Sequence, residues 1–189
     1  QAAQFDTVFL ARTTAGVAAD ATSTEPSTSA DGRFVAFTSE ADNLSTENND
    51  GHSAIYLRDR LLGITTYVSR GPGLNGAPAD DDALHPSVSD DGRFVAFQSA
   101  ANNLSVEDSD LIPNIYVRDV QTGTTLLISR EDGSVGGGGD GTSLNPSISA
   151  DGTRVAFQSV GDNLSDDDAA LTEDVYVRDI PDAATILVS

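Results

Sequence analysis

Cysteine, methionine and tryptophan are absent from this sequence, and so is lysine: all ten basic residues are arginine. Without cysteine there can be no disulfide, no thiolate metal site and no thiol nucleophile, so stability must come from packing, hydrogen bonds or hard metal ions. Without even an initiating methionine, Gln1 is either the edge of an excerpt or the product of processing; the favoured expectation is a removed secretory signal and a secreted or extracellular chain. No apolar run approaches the roughly 18 residues that a membrane-spanning helix needs, so membrane insertion is not expected. The ten arginines face 30 acidic residues, for a formal net charge of −20. That balance disfavours a nucleic-acid backbone as partner. Aspartate greatly outnumbers glutamate, which suits turns and hard-cation ligands.

What the chain does have is a period. Pro26, Pro86 and Pro146 open near-identical passages 60 residues apart, the signature of one structural unit copied in an array. PSTSADGRFVAF, PSVSDDGRFVAF and PSISADGTRVAF are followed by ADNLS, ANNLS and GDNLS, then by AIYLRD, NIYVRD and DVYVRD. Residues 33–37, 93–97 and 153–157 carry apolar side chains at both parities, as a strand buried on both faces would. Residues 55–58, 115–118 and 175–178 predict the next strand, with one aliphatic face and one Tyr/Arg face. Asp31-Gly32, Asp91-Gly92 and Asp151-Gly152 predict tight hairpins in which glycine supplies positive φ. The Pro-Ser-x-Ser stretch is then the preceding strand, and residues 65–69, 124–129 and 185–189 form a fourth.

A four-stranded antiparallel meander with two apolar faces cannot stand alone, so copies must stack face to face around an axis: an all-β chain of β-propeller blades. The residues that imply this also resemble a known group, the TolB-type (WD-like) propeller repeat. There a Ser-x-Asp-Gly-Arg-x-Val-Ala-Phe hairpin precedes a Tyr-Val-x-Asp strand. More narrowly, the chain resembles the long-blade variety of secreted bacterial proteins, in which an Asn-Leu loop precedes Asp-Val-Tyr-Val-Arg-Asp. The expected organisation is a single array over 1–189: an outer strand and loop at 1–25, then blades at 26–85, 86–145 and 146–189. Phe5–Arg12 matches the fourth strands that end at Arg70 and Arg130. One orphan strand and three blades are too few to close a ring, since propellers begin at four blades.

Strand parity puts six long loops on one face of the array: 13–25, 40–54, 71–85, 100–114, 131–145 and 160–174. They hold 21 of the 30 acids and none of the arginines. Clustered carboxylates repel and raise one another's pKa unless a cation neutralises them, so calcium is the expected ion. The best ligand set is Asp108, Asp110 and Asn114, where alternate oxygen-bearing side chains can converge. Its counterparts are Asn48, Asp50 and Ala54 in the first blade, and Asp168, Ala170 and Asp174 in the third, helped by Asp166 and Asp167. Asp80-Asp81-Asp82 reads as an acidic turn, and glycines 136–139 as a flexible connection. Asn43, Asn103 and Asn163, each followed by Leu-Ser, are expected to pin their loops. Arg58-Asp59 and its copies are expected to make inter-blade ion pairs and turn caps.

No catalytic constellation is visible. The two histidines, His52 and His85, do not recur in the repeat, and no Gly-x-Ser-x-Gly elbow presents a nucleophile. The expected role is a non-catalytic interaction module that associates with further blades or copies of itself, as a homo-oligomer or filament, through open sheet edges. Two alternatives stand beside it: a ligand- or glycan-binding propeller face, and the accessory propeller of a larger secreted hydrolase. The loops carry no aromatic platform for a sugar.

Overall fold

The computed structural model describes residues 9–47, 51–108, 110–133, 136–168 and 172–189. Among them are twelve strands in three four-stranded antiparallel sheets, and no helix. Blade 1 is β1 (Ser23–Thr28), β2 (Phe34–Ser39), β3 (Ala54–Asp59) and β4 (Ile64–Tyr67). Blade 2 is β5 (Ala83–Val88), β6 (Phe94–Ser99), β7 (Asn114–Asp119) and β8 (Thr124–Leu127). Blade 3 is β9 (Ser143–Ile148), β10 (Arg154–Ser159), β11 (Asp174–Asp179) and β12 (Ala184–Leu187). Each sheet is a simple meander, and the register repeats: Phe34 faces Asp59 in blade 1 and Phe94 faces Asp119 in blade 2. Residues 5–8 of the expected outer strand lie outside the described residues; Arg12 makes the antiparallel bridge to Ala18 that Arg70 makes to Pro78 and Arg130 to Gly138.

The hairpin between the first two strands forms where Asp-Gly predicts it. Gly32, Gly92 and Gly152 have φ of 68°, 69° and 72°, which costs glycine little. Asp31 fixes the turn by accepting from the Ser29 hydroxyl at 2.7 Å and from the Arg33 N–H at 2.9 Å. The first strands begin three residues earlier than the repeat boundary predicts, so Pro26, Pro86 and Pro146 lie inside them. There the register against the second strand slips. The residues before the prolines, Glu25, His85 and Asn145, take φ of 53°, 52° and 55°. The slip absorbs the proline, which has no N–H to give to the ladder.

Blades stack through two apolar cores. Ala36, Ile55, Leu57 and Val68 of blade 1 pack on Val95, Phe97, Leu104 and Tyr116 of blade 2. The residues 60 positions later, Ala96, Ile115, Val117 and Ile128, pack in the same way on Val155, Phe157, Leu164 and Tyr176 of blade 3. The third strand of the middle blade is buried along its whole length, so its aliphatic face and its Tyr/Arg face are both covered.

Candidate functional site

The predicted calcium ligands are placed individually. Asp108 is buried, and its carboxylate accepts from the Tyr116 hydroxyl and, at 3.3 Å, from the Asp110 N–H. Burial pushes its pKa up, against the pull of the Tyr116 bond, and the Asp110 charge adds to the rise. Asn114 is buried too, with Oδ1 accepting from the Ser129 hydroxyl at 2.7 Å. Asp110 is exposed and accepts from the Ile112 N–H at 3.0 Å. Asp108 and Asn114 thus turn inward onto protein donors, while Asp110 binds the backbone of its own loop. In blade 3, Asp168 accepts from the Tyr176 hydroxyl, while Asp174 accepts from Thr172 at 2.9 Å and Ser189 at 3.2 Å, so each serves a different local bond. Asn48 and Asp50 lie outside the described residues. Asp166 and Asp167 line an open cleft of 810 Å³ with Glu131 and Asp132.

Other acids of the long loops are structural. Asn103 donates to the Pro78 carbonyl at 2.7 Å and accepts from the Asp80 N–H at 3.2 Å, while Asp80 accepts from the Asn102 N–H at 2.9 Å. The same reciprocal clasp joins Asn43 to Asp20 and Asn163 to Asp140, with Leu44, Leu104 and Leu164 buried beneath. Arginines absent from these loops still reach them: Arg70 pairs with Glu47 at 2.5 Å and Arg130 with Glu107 at 2.6 Å. The spacing of 23 residues was the available signal.

The Arg-Asp pairs divide their work differently from the inter-blade ion pairs expected of them. Asp59, Asp119 and Asp179 bind arginines of their own blade, Arg33 at 2.7 Å, Arg93 at 2.7 Å and Arg154 at 2.8 Å. Asp119 also caps the following turn through the Gln121 and Thr122 N–H groups. Arg118, by contrast, is buried and donates to the carbonyls of Gly71, Gly73 and Gly123 and to the Thr125 hydroxyl, all within 2.9 Å. Burial, reinforced by Arg70, lowers its pKa to about 10. It thus clamps the segment arriving from blade 1, as Arg178 clamps Glu131 and Gly133 arriving from blade 2. That second segment includes the glycine run expected to be a flexible connection. Its Gly137 carbonyl accepts from the Glu131 N–H at 2.9 Å and Gly139 donates to Ser129 at 2.8 Å, so the glycines are bonded back onto the residues that lead into the segment.

The first strands converge, since Ser27 accepts from the Val88 N–H at 3.2 Å and Ser87 from the Ile148 N–H at 3.0 Å. At that convergence Glu25, His85 and Asn145 line a 340 Å³ concavity with their prolines. Glu25 accepts from the His85 N–H at 2.8 Å, and its other oxygen lies 3.1 Å from His85 Nδ1. Three equivalent positions thus hold three different polar side chains on left-handed backbone. The sequence showed the substitutions, but only folding puts them together.

Blade 3 differs from its neighbours on one face. Ile55 and Ile115 are fully buried, whereas their counterpart Val175 is 36% exposed; Val68 and Ile128 are 0% and 2% exposed, and Val188 is 61% exposed. These are the positions through which each preceding blade contacts the next.

No known family profile matches the chain, and no curated protein does so either. Among solved structures it superposes on TolB from Acinetobacter baumannii over 89% of its length, with a TM-score of 0.51 and 21% identity. The fold is that of a TolB-type β-propeller. The β-propeller domain of the trilobed protease from Pyrococcus furiosus matches over 88% of the chain with a TM-score of 0.53 and 14% identity. An acylaminoacyl peptidase from Pyrococcus horikoshii matches over 88% with a TM-score of 0.50 and 16% identity. The chain spans 32% of the TolB structure, 41% of the protease propeller and 24% of the peptidase.

Proposed function

We propose that this chain is a secreted, non-catalytic interaction module that associates with further blades or with a second copy of itself through the face of blade 3, which is uncovered among the described residues. One observation carries the reading: Ala156, Val175, Val177 and Val188 are the repeat counterparts of the residues that bury blade 1 against blade 2 and blade 2 against blade 3. Val35, Phe37, Leu44 and Tyr56 of blade 1 are the residue types that receive the preceding blade at the two internal junctions. They are already buried, three of them in a cluster with Ala11 and Ala41. A head-to-tail contact, closing into a ring or running on as a filament, therefore requires the segment around Ala11 to move off that face. The partner surface is then a sheet face rather than the strand edge expected from sequence. A hard cation at Asp108 and Asp110 is a stabilising part of this reading, because it would neutralise a desolvated carboxylate and its charged neighbour. Light scattering across a concentration series, with millimolar calcium and then with chelator, tests both parts. Mass should rise with concentration in the wild type and stay monomeric in Val175→Asp. A chain that is monomeric at every concentration overturns the association, and a melting temperature indifferent to chelator overturns the calcium.

The ligand-binding alternative attaches to the concavity of Glu25, His85 and Asn145. It is favoured because equivalent positions there present three different polar groups on strained backbone.

A further inference from the structure

We propose that His52, Asp81 and Asp82 form a binding site for a divalent first-row transition metal of the zinc type, held across the junction of blades 1 and 2. His52 lies two residues before β3 of blade 1, and the two aspartates immediately precede β5 of blade 2. His52 Nδ1 is 3.9 Å from Asp81 Oδ1 and 3.7 Å from Asp82 Oδ1. One ligand atom from each of the three residues lies within 4.8 Å of the others. Ligands at zinc distances around a tetrahedral ion stand about 3.3 Å apart, so completing the set needs a closure of about 0.4 to 0.6 Å at the histidine and of at most about 1.5 Å elsewhere. The side chains are 39%, 45% and 53% exposed. The backbone beneath them is fixed: Ser53 donates to Asp82 Oδ1 at 2.7 Å, Ala83 donates to the Ser53 carbonyl at 2.8 Å, and the Asp82 N–H donates to Asp81 Oδ1 at 2.7 Å.

The repeat supplies an internal control. The counterparts of His52 are Ile112 and Thr172, those of Asp81 are Ala21 and Gly141, and those of Asp82 are Thr22 and Thr142. All three metal-ligating residues break the repeat, and they do so at one junction. The junction of blades 2 and 3 has none of them, yet keeps the backbone bond, with Ser143 donating to the Pro113 carbonyl at 2.8 Å. Stacking the blades therefore does not require an imidazole and two carboxylates here. Imidazole directs the choice of ion towards zinc and its neighbours and away from calcium or magnesium, and three protein ligands leave a position for water.

Calorimetric titration of the full chain with zinc chloride, with NMR of the histidine ring protons, tests the site. Only two histidines exist, so the His52 signals are assigned by loss in a single variant. Wild type should bind one zinc per chain, move the His52 signals and leave those of His85 in place. His52→Ile, which installs the residue blade 2 uses, should fold normally and lose at least about tenfold in zinc affinity, as should Asp81→Asn/Asp82→Asn. Asp108→Asn should bind zinc as the wild type does. Unchanged affinity in His52→Ile, a response at His85 instead, or binding seen only at millimolar zinc would each overturn the proposal.

Discussion

Single residues carry opposing electrostatic duties in this chain. Burial alone would raise the Asp119 pKa, but the Arg93 guanidinium and the N–H groups of the turn prevail and hold it at about 2. A carboxyl held below its unfolded value adds stability above about pH 4, and that stability is lost as pH falls towards 2. Asp119→Asn should therefore cost about 2 kcal/mol at neutral pH and flatten the acid limb of a stability-versus-pH curve measured by urea unfolding. Asp108 has the reverse sign: its raised pKa favours the fold when the group is protonated, and that contribution fades as pH rises through the folded value. Asp108→Asn keeps an acceptor for Tyr116 and should be no less stable at pH 7 in the absence of calcium. Ala183, with φ of 54°, sits where Gly63 and Gly123 take φ of 69° and 75°. Ala183→Gly should gain about 0.5–1 kcal/mol in the same assay, because an L-residue on left-handed backbone is strained.

Among the elements, the middle blade and blade 3 make a matched pair for experiment. Ile115→Asp puts a charge between two sheets and should cost about 4 kcal/mol or more, enough to unfold the domain on a denaturation curve. Val175→Asp, at the same place in the next copy, should leave the melting transition nearly unmoved while abolishing self-association. These strands were legible from sequence because Phe-Val-Ala-Phe carries apolar side chains at both parities, Ile-Tyr-Val-Arg alternates an aliphatic face with a Tyr/Arg face, and both recur with the 60-residue period. The Asp-Gly turns were legible because positive φ leaves glycine as the cheapest choice. Strand starts were misjudged because proline marks a strand edge in most contexts, and only the register slip at Glu25, His85 and Asn145 lets it sit inside. The destination of Arg118 was equally hidden. A guanidinium that binds carbonyls 45 and 47 residues away leaves no local pattern.

For the molecule as a whole, a net charge of −20 opposes any contact between two copies. If blade 3 of one copy packs on blade 1 of another, raising the salt from about 0.05 M to 0.5 M should screen that repulsion and shift light-scattering mass upward. A contact driven by ion pairs would respond in the opposite direction. Chain connectivity adds a consequence for engineering. The residues after β4 belong, by their bonds, to the following sheet: Arg70 gives its carbonyl to Thr125, and Gly71 and Gly73 give theirs to Arg118. The heritable module, bounded by prolines, and the mechanical module, bounded by those bonds, are thus offset along the chain. A gene fusion that adds or deletes one unit at the prolines would keep each junction in register, whereas a protein dissected there would tear a splice from the sheet that holds it. Fragments intended to fold alone are better begun near residue 69.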